Sequence, residues 1–151
     1  MPRTLAEWGR VAWTLRLLTP SQAAAIALRL PTLQSVRIHN LYEDEHGESH
    51  WRDVQVEWSE QTIGGPASRR MPASGIIFRE MPVTYDLDWH VAPRRQYVVH
   101  LDGDALITAS DGESRTIKAG EIVLVEDVSG KGHRSKNAVG RPYHCLFVAL
   151  D

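Results

Sequence analysis

Seven histidines, 17 Lys and Arg, 19 Asp and Glu and a single cysteine are the reactive inventory of this 151-residue chain. The densest concentration lies near residue 130, where Glu126, Asp127 and Lys131 precede His133 in a Gly-containing loop. A carboxylate beside an imidazole in a partly dry cavity is poised for general acid–base work, such as removing a proton from a carbon next to a carbonyl, without any metal. The plainer role for the same acids is to accept backbone N–H bonds and tie the loop down, with Lys131 in solvent. Arg94 and Arg95 form a second feature. One guanidinium turned inward clamps a carboxylate in bidentate fashion while the other faces water, and strand parity favours Arg94 as the inward one. His39, His46 and His50 lie in a polar, turn-rich stretch and read as surface residues, with no H-x-x-x-H pair on one helix among them. His144, on the last apolar run, reads as a satisfied core histidine. No G-x-S-x-G elbow, phosphate loop or convincing Cys nucleophile is present, which excludes most nucleophilic hydrolases and nucleotide enzymes.

The elements that must hold these groups change character at Pro31. From Thr4 to Leu30 the pattern is helical, with capping boxes at Thr4 and Glu7 and again at Thr19, Pro20 and Gln22. Leu5, Trp8, Ala12 and Leu15 recur at helical spacing, so the first helix carries an apolar face. The segment is also Arg-rich and acid-poor, as organelle transit peptides are, and both a folded extension and an address signal fit it. After residue 35 the period becomes 2, which predicts strands at 36–42, 51–58, 75–80, 96–101, 104–109, 114–118, 121–126 and 143–149. Eight short strands separated by turn signals imply a barrel or sandwich, with Asp111-Gly112 as a type I′ hairpin turn. The expected organisation is a helical extension over residues 1–35 and a β domain over 36–151.

Composition narrows the class further. With 42% hydrophobic and 24% charged residues, the chain suits one soluble core, and a domain of this length buries roughly 70% of its unfolded surface without needing a disulfide or metal to fold. A net charge of -2 and no dense basic stripe exclude a nucleic-acid partner. The apolar runs fall far short of the ~20 residues of a membrane helix. One cysteine excludes a disulfide framework and suits the cytoplasm, with an organelle as the alternative if residues 1–35 are an address.

The runs Trp89-His90-Val91-Ala92-Pro93-Arg94-Arg95-Gln96-Tyr97, Gly103, Ser110-Asp111-Gly112-Glu113, Ala119-Gly120-Glu121-Ile122 and Gly130-Lys131-Gly132-His133 resemble a single-domain cupin over about residues 36–150. The resemblance implies an all-β, double-stranded β-helix of jelly-roll type, preceded here by the helical extension. His90 falls on the first histidine of the first cupin motif, Ala92 on the second, Gln96 on the glutamate, and Gly103 closes it. In the second motif Gly120 opens, Glu126 stands where proline is usual, the loop is two residues longer, and His133 with Asn137 keeps the closing His-x3-Asn spacing.

What the resemblance implies about the site follows residue by residue. His90, Gln96 and His133 inherit three positions of the cupin metal site. Replacing His by Ala and Glu by Gln removes a ligand and a charge, so a divalent metal there is expected to be weakly held. If Gln96 faces the cavity, then Val98 and His100 on the same strand face it too, and Trp89 beside His90 is placed to wall it. For His100 the plain reading is again a satisfied core histidine. Two functions remain open. One is an enzyme on a small polar organic ligand, using His90, His133, Asp127 and Glu126 for acid–base chemistry or a weak metal, with Arg94, Gln96, His100 and Trp89 binding the ligand. The other is a non-catalytic sensor or carrier. Exposed strand edges and the apolar helix face favour a symmetric homodimer.

Overall fold

The computed structural model describes residues 35–150, and every regular element in that range is a strand. The helices and the extension read from residues 1–35 lie outside the described residues, apart from Ser35. The chain order is β1 (Arg37–Glu43), β2 (Ser49–Gln55), β3 (Glu60–Thr62), β4 (Gly65–Ala67), β5 (Gly75–Met81) and β6 (Asp86–His90). It continues with β7 (Gln96–His100), β8 (Ala105–Ala109), β9 (Ser114–Ile117), β10 (Ile122–Val125), β11 (His133–Asn137) and β12 (Tyr143–Ala149).

These strands form a six-stranded sheet in the order β2-β1-β10-β7-β12-β5, a four-stranded sheet in the order β6-β11-β8-β9, and a separate β3-β4 ribbon. All pairings are antiparallel except β1 with β10. The large and small sheets remain open, with β2, β5, β6 and β9 as edges, so no closed barrel forms.

Alternation explains which side chains meet between the sheets. On β8, Ala105, Ile107 and Ala109 are buried while Leu106 and Thr108 are not; on β10, Val123 and Val125 point to the same core. Leu41, Trp51, Met81, Val98, Ile117, Tyr143 and Cys145 complete it from both sheets. Each large aliphatic buried there contributes about 1.5–3 kcal/mol relative to an exposed one, which fixes the parity of every strand involved.

The outer face of the large sheet is an ionic ladder. Fully buried Asn40 donates to the Leu124 carbonyl (3.1 Å) and to Glu126 (2.9 Å), and accepts from Arg52 (2.6 Å). Glu126 also takes Arg95 at 2.6 Å.

Three local expectations are corrected. The Asp111 turn is a three-residue loop closed by bonds between Ala109 and Glu113 (2.9 Å) and between Ala109 and Gly112 (3.0 Å). Gly112 alone takes positive φ, so Asp111 avoids the strain that type I′ would impose. His39 is buried, edge-on to Trp51, with Glu121 3.5 Å from its Nε2. His50 is half-buried and spans two carboxylates: Nε2 lies 3.1 Å from Asp44 and Nδ1 lies 2.7 Å from Asp111.

A ring with a carboxylate at each nitrogen donates from both only as the imidazolium. The Asp44 bond, followed by that of Asp111, accordingly raises the His50 pKa above its ordinary value. A raised folded value makes the contribution to stability complete below the unfolded pKa, about 6.5, and lost as pH climbs through the folded one. The melting-temperature advantage of the wild type over His50→Phe is therefore expected to be greatest in mild acid and to shrink with rising pH. A gap that widens toward alkaline pH would contradict the imidazolium clamp.

Candidate functional site

The two histidines assigned by sequence to separate motifs are cross-strand partners. His90 on β6 stands opposite His133 on β11, with ring centroids 4.3 Å apart and planes inclined by 55°. Both rings line one cavity of about 240 Å³ between the sheets.

A β-bulge aims His90. The register steps from His133↔His90 to Ser135↔Leu87, so three residues of β6 advance against two of β11. A regular strand cannot turn residues three apart to one face, yet Leu87 and His90 both reach the cavity, because the extra residue rotates the chain between them. Gly132 then brings the two strands' ends together. Its φ is +69°, and a Cβ there would sit 2.1 Å from the His90 carbonyl oxygen, a place only glycine fills. The Gly132 carbonyl accepts from buried Ser49 Oγ (2.6 Å), which anchors the loop to β2.

Hydrogen bonds fix both tautomers. His90 Nδ1 lies 2.7 Å from the Asp88 backbone carbonyl, which only accepts, so Nδ1 carries the proton and Nε2 keeps its lone pair. His133 Nδ1 lies 2.6 Å from Asp127 Oδ2. Asp127 is 0% and His133 7% exposed, and Asp127 is pinned by its own carbonyl accepting from Ala92 N (3.0 Å). Its Oδ1 has no hydrogen-bond partner among the described residues.

The cavity floor is quieter chemically. Buried His100 stacks on Tyr143 with centroids 5.8 Å apart and donates from Nδ1 toward the Gly103 carbonyl (3.3 Å). Burial pushes the His100 pKa down, so it stays neutral near pH 7. Burial likewise pushes the Cys145 thiol up to about 12 and the Tyr143 phenol above its usual range. Cys145 is thus a thiol and no nucleophile. Tyr85 and Ser135 share a 2.6 Å hydroxyl bond on the wall, and burial raises the Tyr85 phenol too.

The residues selected by sequence divide accordingly. His90, His133, Arg94, Gln96 and His100 line the cavity, and Asp127 stands behind His133. Glu126 does not join them: Val123 and Val125 point inward, so Glu126 falls on the outer face, bound to Arg95 and Asn40. Trp89 is not a cavity wall, since it is 47% exposed on β6 beneath the Arg134 guanidinium. Lys131 pairs with Glu48. His144, expected in the core, is exposed and bound to Asp102 at 2.7 Å. Arg79, Tyr85, Ser135, Tyr143 and Cys145 also line the cavity and were missed. The parity of the strand over 143–149 was the signal for Tyr143 and Cys145, and the step of two from His133 was the signal for Ser135.

Two imidazoles and the Gln96 amide do not make the cupin metal set. Ala92 is buried where the resemblance would put the second histidine, among the described residues no Asp or Glu lines the cavity, and Asp127 is committed to His133. Among the described residues no group of three or more His, Cys, Asp or Glu is arranged to hold a metal ion. Proton transfer is chemistry that two such imidazoles can perform.

No family model matches the chain, and no curated protein matches it significantly. Among solved structures, the protein NMB1881 from Neisseria meningitidis is similar at 21% identity and a TM-score of 0.40, over 50% of this chain and 72% of that one. A likeness of that size carries neither fold nor function.

Two outcomes are expected. Gly132→Ala should cost more than about 2 kcal/mol in urea unfolding, from both the left-handed strain and the backbone clash, whereas Gly112→Ala, with open space around it, should cost only about 1–2. Asp127→Ala should cost about 1–3 kcal/mol by orphaning a buried donor. In long-range ¹H–¹⁵N spectra that variant should lose the Nδ1–H preference of neutral His133 and keep that of His90.

Proposed function

We propose that residues 36–150 form a single-domain cupin whose cavity binds a small organic ligand and transfers a proton between ligand and the His90–His133 pair. The threading supports the cupin reading. From β5 onward the chain passes repeatedly between sheets, with β5, β7, β10 and β12 in the large one and β6, β8, β9 and β11 in the small one. Such alternation between two sheets supports a jelly-roll reading.

The observation that carries the function is the presentation of two Nε2 atoms to one cavity by rings whose Nδ1 positions are already committed. With a ligand carbonyl bound, His133 Nε2 accepts the proton from the neighbouring carbon, and the buried Asp127 carboxylate faces the positive charge the ring acquires. His133 then returns that proton, or one exchanged with solvent, to the oxygen or to the adjacent carbon, while His90 Nε2, with its free lone pair, accepts a hydrogen bond from the enol hydroxyl. The net change is an isomerisation or exchange through an enol, with no electron or group lost. Much of the lining is apolar. A second reading, a non-catalytic binding cupin, draws on the near-complete burial of the Asp127–His133 pair, which also suits a structural tie.

Deuterium wash-in at the carbon next to the carbonyl, followed by proton NMR with dihydroxyacetone and 2-oxobutanoate in D2O, tests the proposal. Chelator-stripped protein is expected to accelerate exchange of at least one probe by about 10²-fold or more. His133→Ala and His90→Ala should each abolish most of that gain. Exchange that disappears on chelation, or that both variants retain, would overturn the paired-histidine mechanism, and binding without exchange would favour the second reading.

A further inference from the structure

We infer that the ligand of this cavity is an organic anion, a small carboxylate with an apolar body of a few carbons, gripped by Arg79 and Arg94. The inference rests on the cavity being the binding site and adds the chemical class of what it binds.

The charges lining the cavity are of one sign. Arg79 and Arg94 line it together with His90, His100 and His133, and among the described residues no Asp or Glu does. Elsewhere in the described residues Arg37, Arg52, Arg95, Arg115 and Arg134 each pair with a carboxylate, and Arg141 donates to backbone carbonyls; Arg69 and Arg70 also lack a carboxylate partner but lie outside this cavity. Arg79 and Arg94 have no carboxylate partner among the described residues. Two unneutralised cations beside a low-dielectric pocket attract an anion and, when they grip one, form the strong charge-assisted bonds of the Arg–carboxylate fork.

Arg79 is directed rather than free. It sits opposite Cys145 on the β5–β12 ladder, shares the inward parity of Ile77 and Met81, and rests its guanidinium over the Phe147 ring, 5.0 Å from the centroid. Its positive charge is felt by Tyr85, Tyr143 and Cys145, which lie at the wall and floor. Sequence parity singled out Arg94, in the β6–β7 connection; Arg79 comes from β5.

The rest of the lining sets the body of the ligand. Ile77, Leu87 and Phe147 give an apolar wall near Arg79, with Ile77 and Leu87 largely exposed. The volume, about 240 Å³, corresponds to roughly eight waters at their liquid density. A carboxylate with a short carbon chain fills that space; a bare phosphate would leave the apolar wall uncovered.

Hexanoate, with its neutral isostere hexanamide, hexylamine and inorganic phosphate, tests this by calorimetric titration of the full chain. Hexanoate is expected to bind at least tenfold more tightly than hexanamide, and hexylamine not to bind. Arg79→Gln and Arg94→Gln should each weaken hexanoate about tenfold while leaving hexanamide unchanged, and Arg79→Lys should recover only part of the loss because the fork is gone. Unchanged melting temperatures would show that these variants fold. Equal affinity for hexanoate and hexanamide, or a preference for hexylamine, would overturn the anion assignment and leave the cavity reading intact. Phosphate displacing hexanoate with equal affinity would overturn the apolar body. If none of the four binds, both the assignment and the cavity reading fall.

Discussion

The passage of Gly132 against the His90 backbone is the constraint on which the site depends. With no Cβ, the loop after β10 packs directly onto the end of β6, and that approach sets the distance between two rings otherwise 43 positions apart in sequence. The bulge in β6 and the Ser49 bond to the Gly132 carbonyl act in the same direction, one turning His90 inward and the other holding the loop down. Hydrogen bonds alone would not produce the pair. They orient rings whose spacing the backbone has already imposed.

The same alternation that builds the core sorts the charges. Glu126, Asn40, Arg52 and Arg95 gather on the outer face of the large sheet, while the cavity is lined by inward valines and histidines, by Arg79 of β5 and by Arg94 of the β6–β7 connection. Asp127 is the exception among the acids, and it is tolerated in the interior because an imidazole faces one oxygen and its own backbone carbonyl is engaged. The adjacent acids Glu126 and Asp127, similar in chemistry, thus end in opposite environments one residue apart.

Much of the frame was legible in the sequence because it rests on apolar periodicity. β7, β8, β10 and β12 were read within a residue or two of their ends, since each buries Val, Ile, Leu, Phe or Ala on one face. β6 and β11, which carry His90 and His133, were not read as strands. Their inward positions are histidine, serine and a partly exposed leucine, so they lack the alternation that marks a half-buried strand. The bulge is equally silent in sequence; Trp89 was assigned to the cavity for its place beside His90, but adjacent strand residues face opposite sides and it lies outside. Arg79 was missed because a guanidinium in an apolar run reads as a solvent-facing side chain until the fold shows the ring beneath it.

The division of labour between the deep pair and the rim has a corollary. The Gly132 contact and the buried Asp127 bar almost any substitution around the imidazoles, whereas Arg79 and Arg94 occupy exposed positions with no partner to strand. On the proposed reading, single changes at Arg79 or Arg94 would retune what the cavity accepts at little cost to folding, whereas changes around the imidazoles would carry a heavy folding penalty.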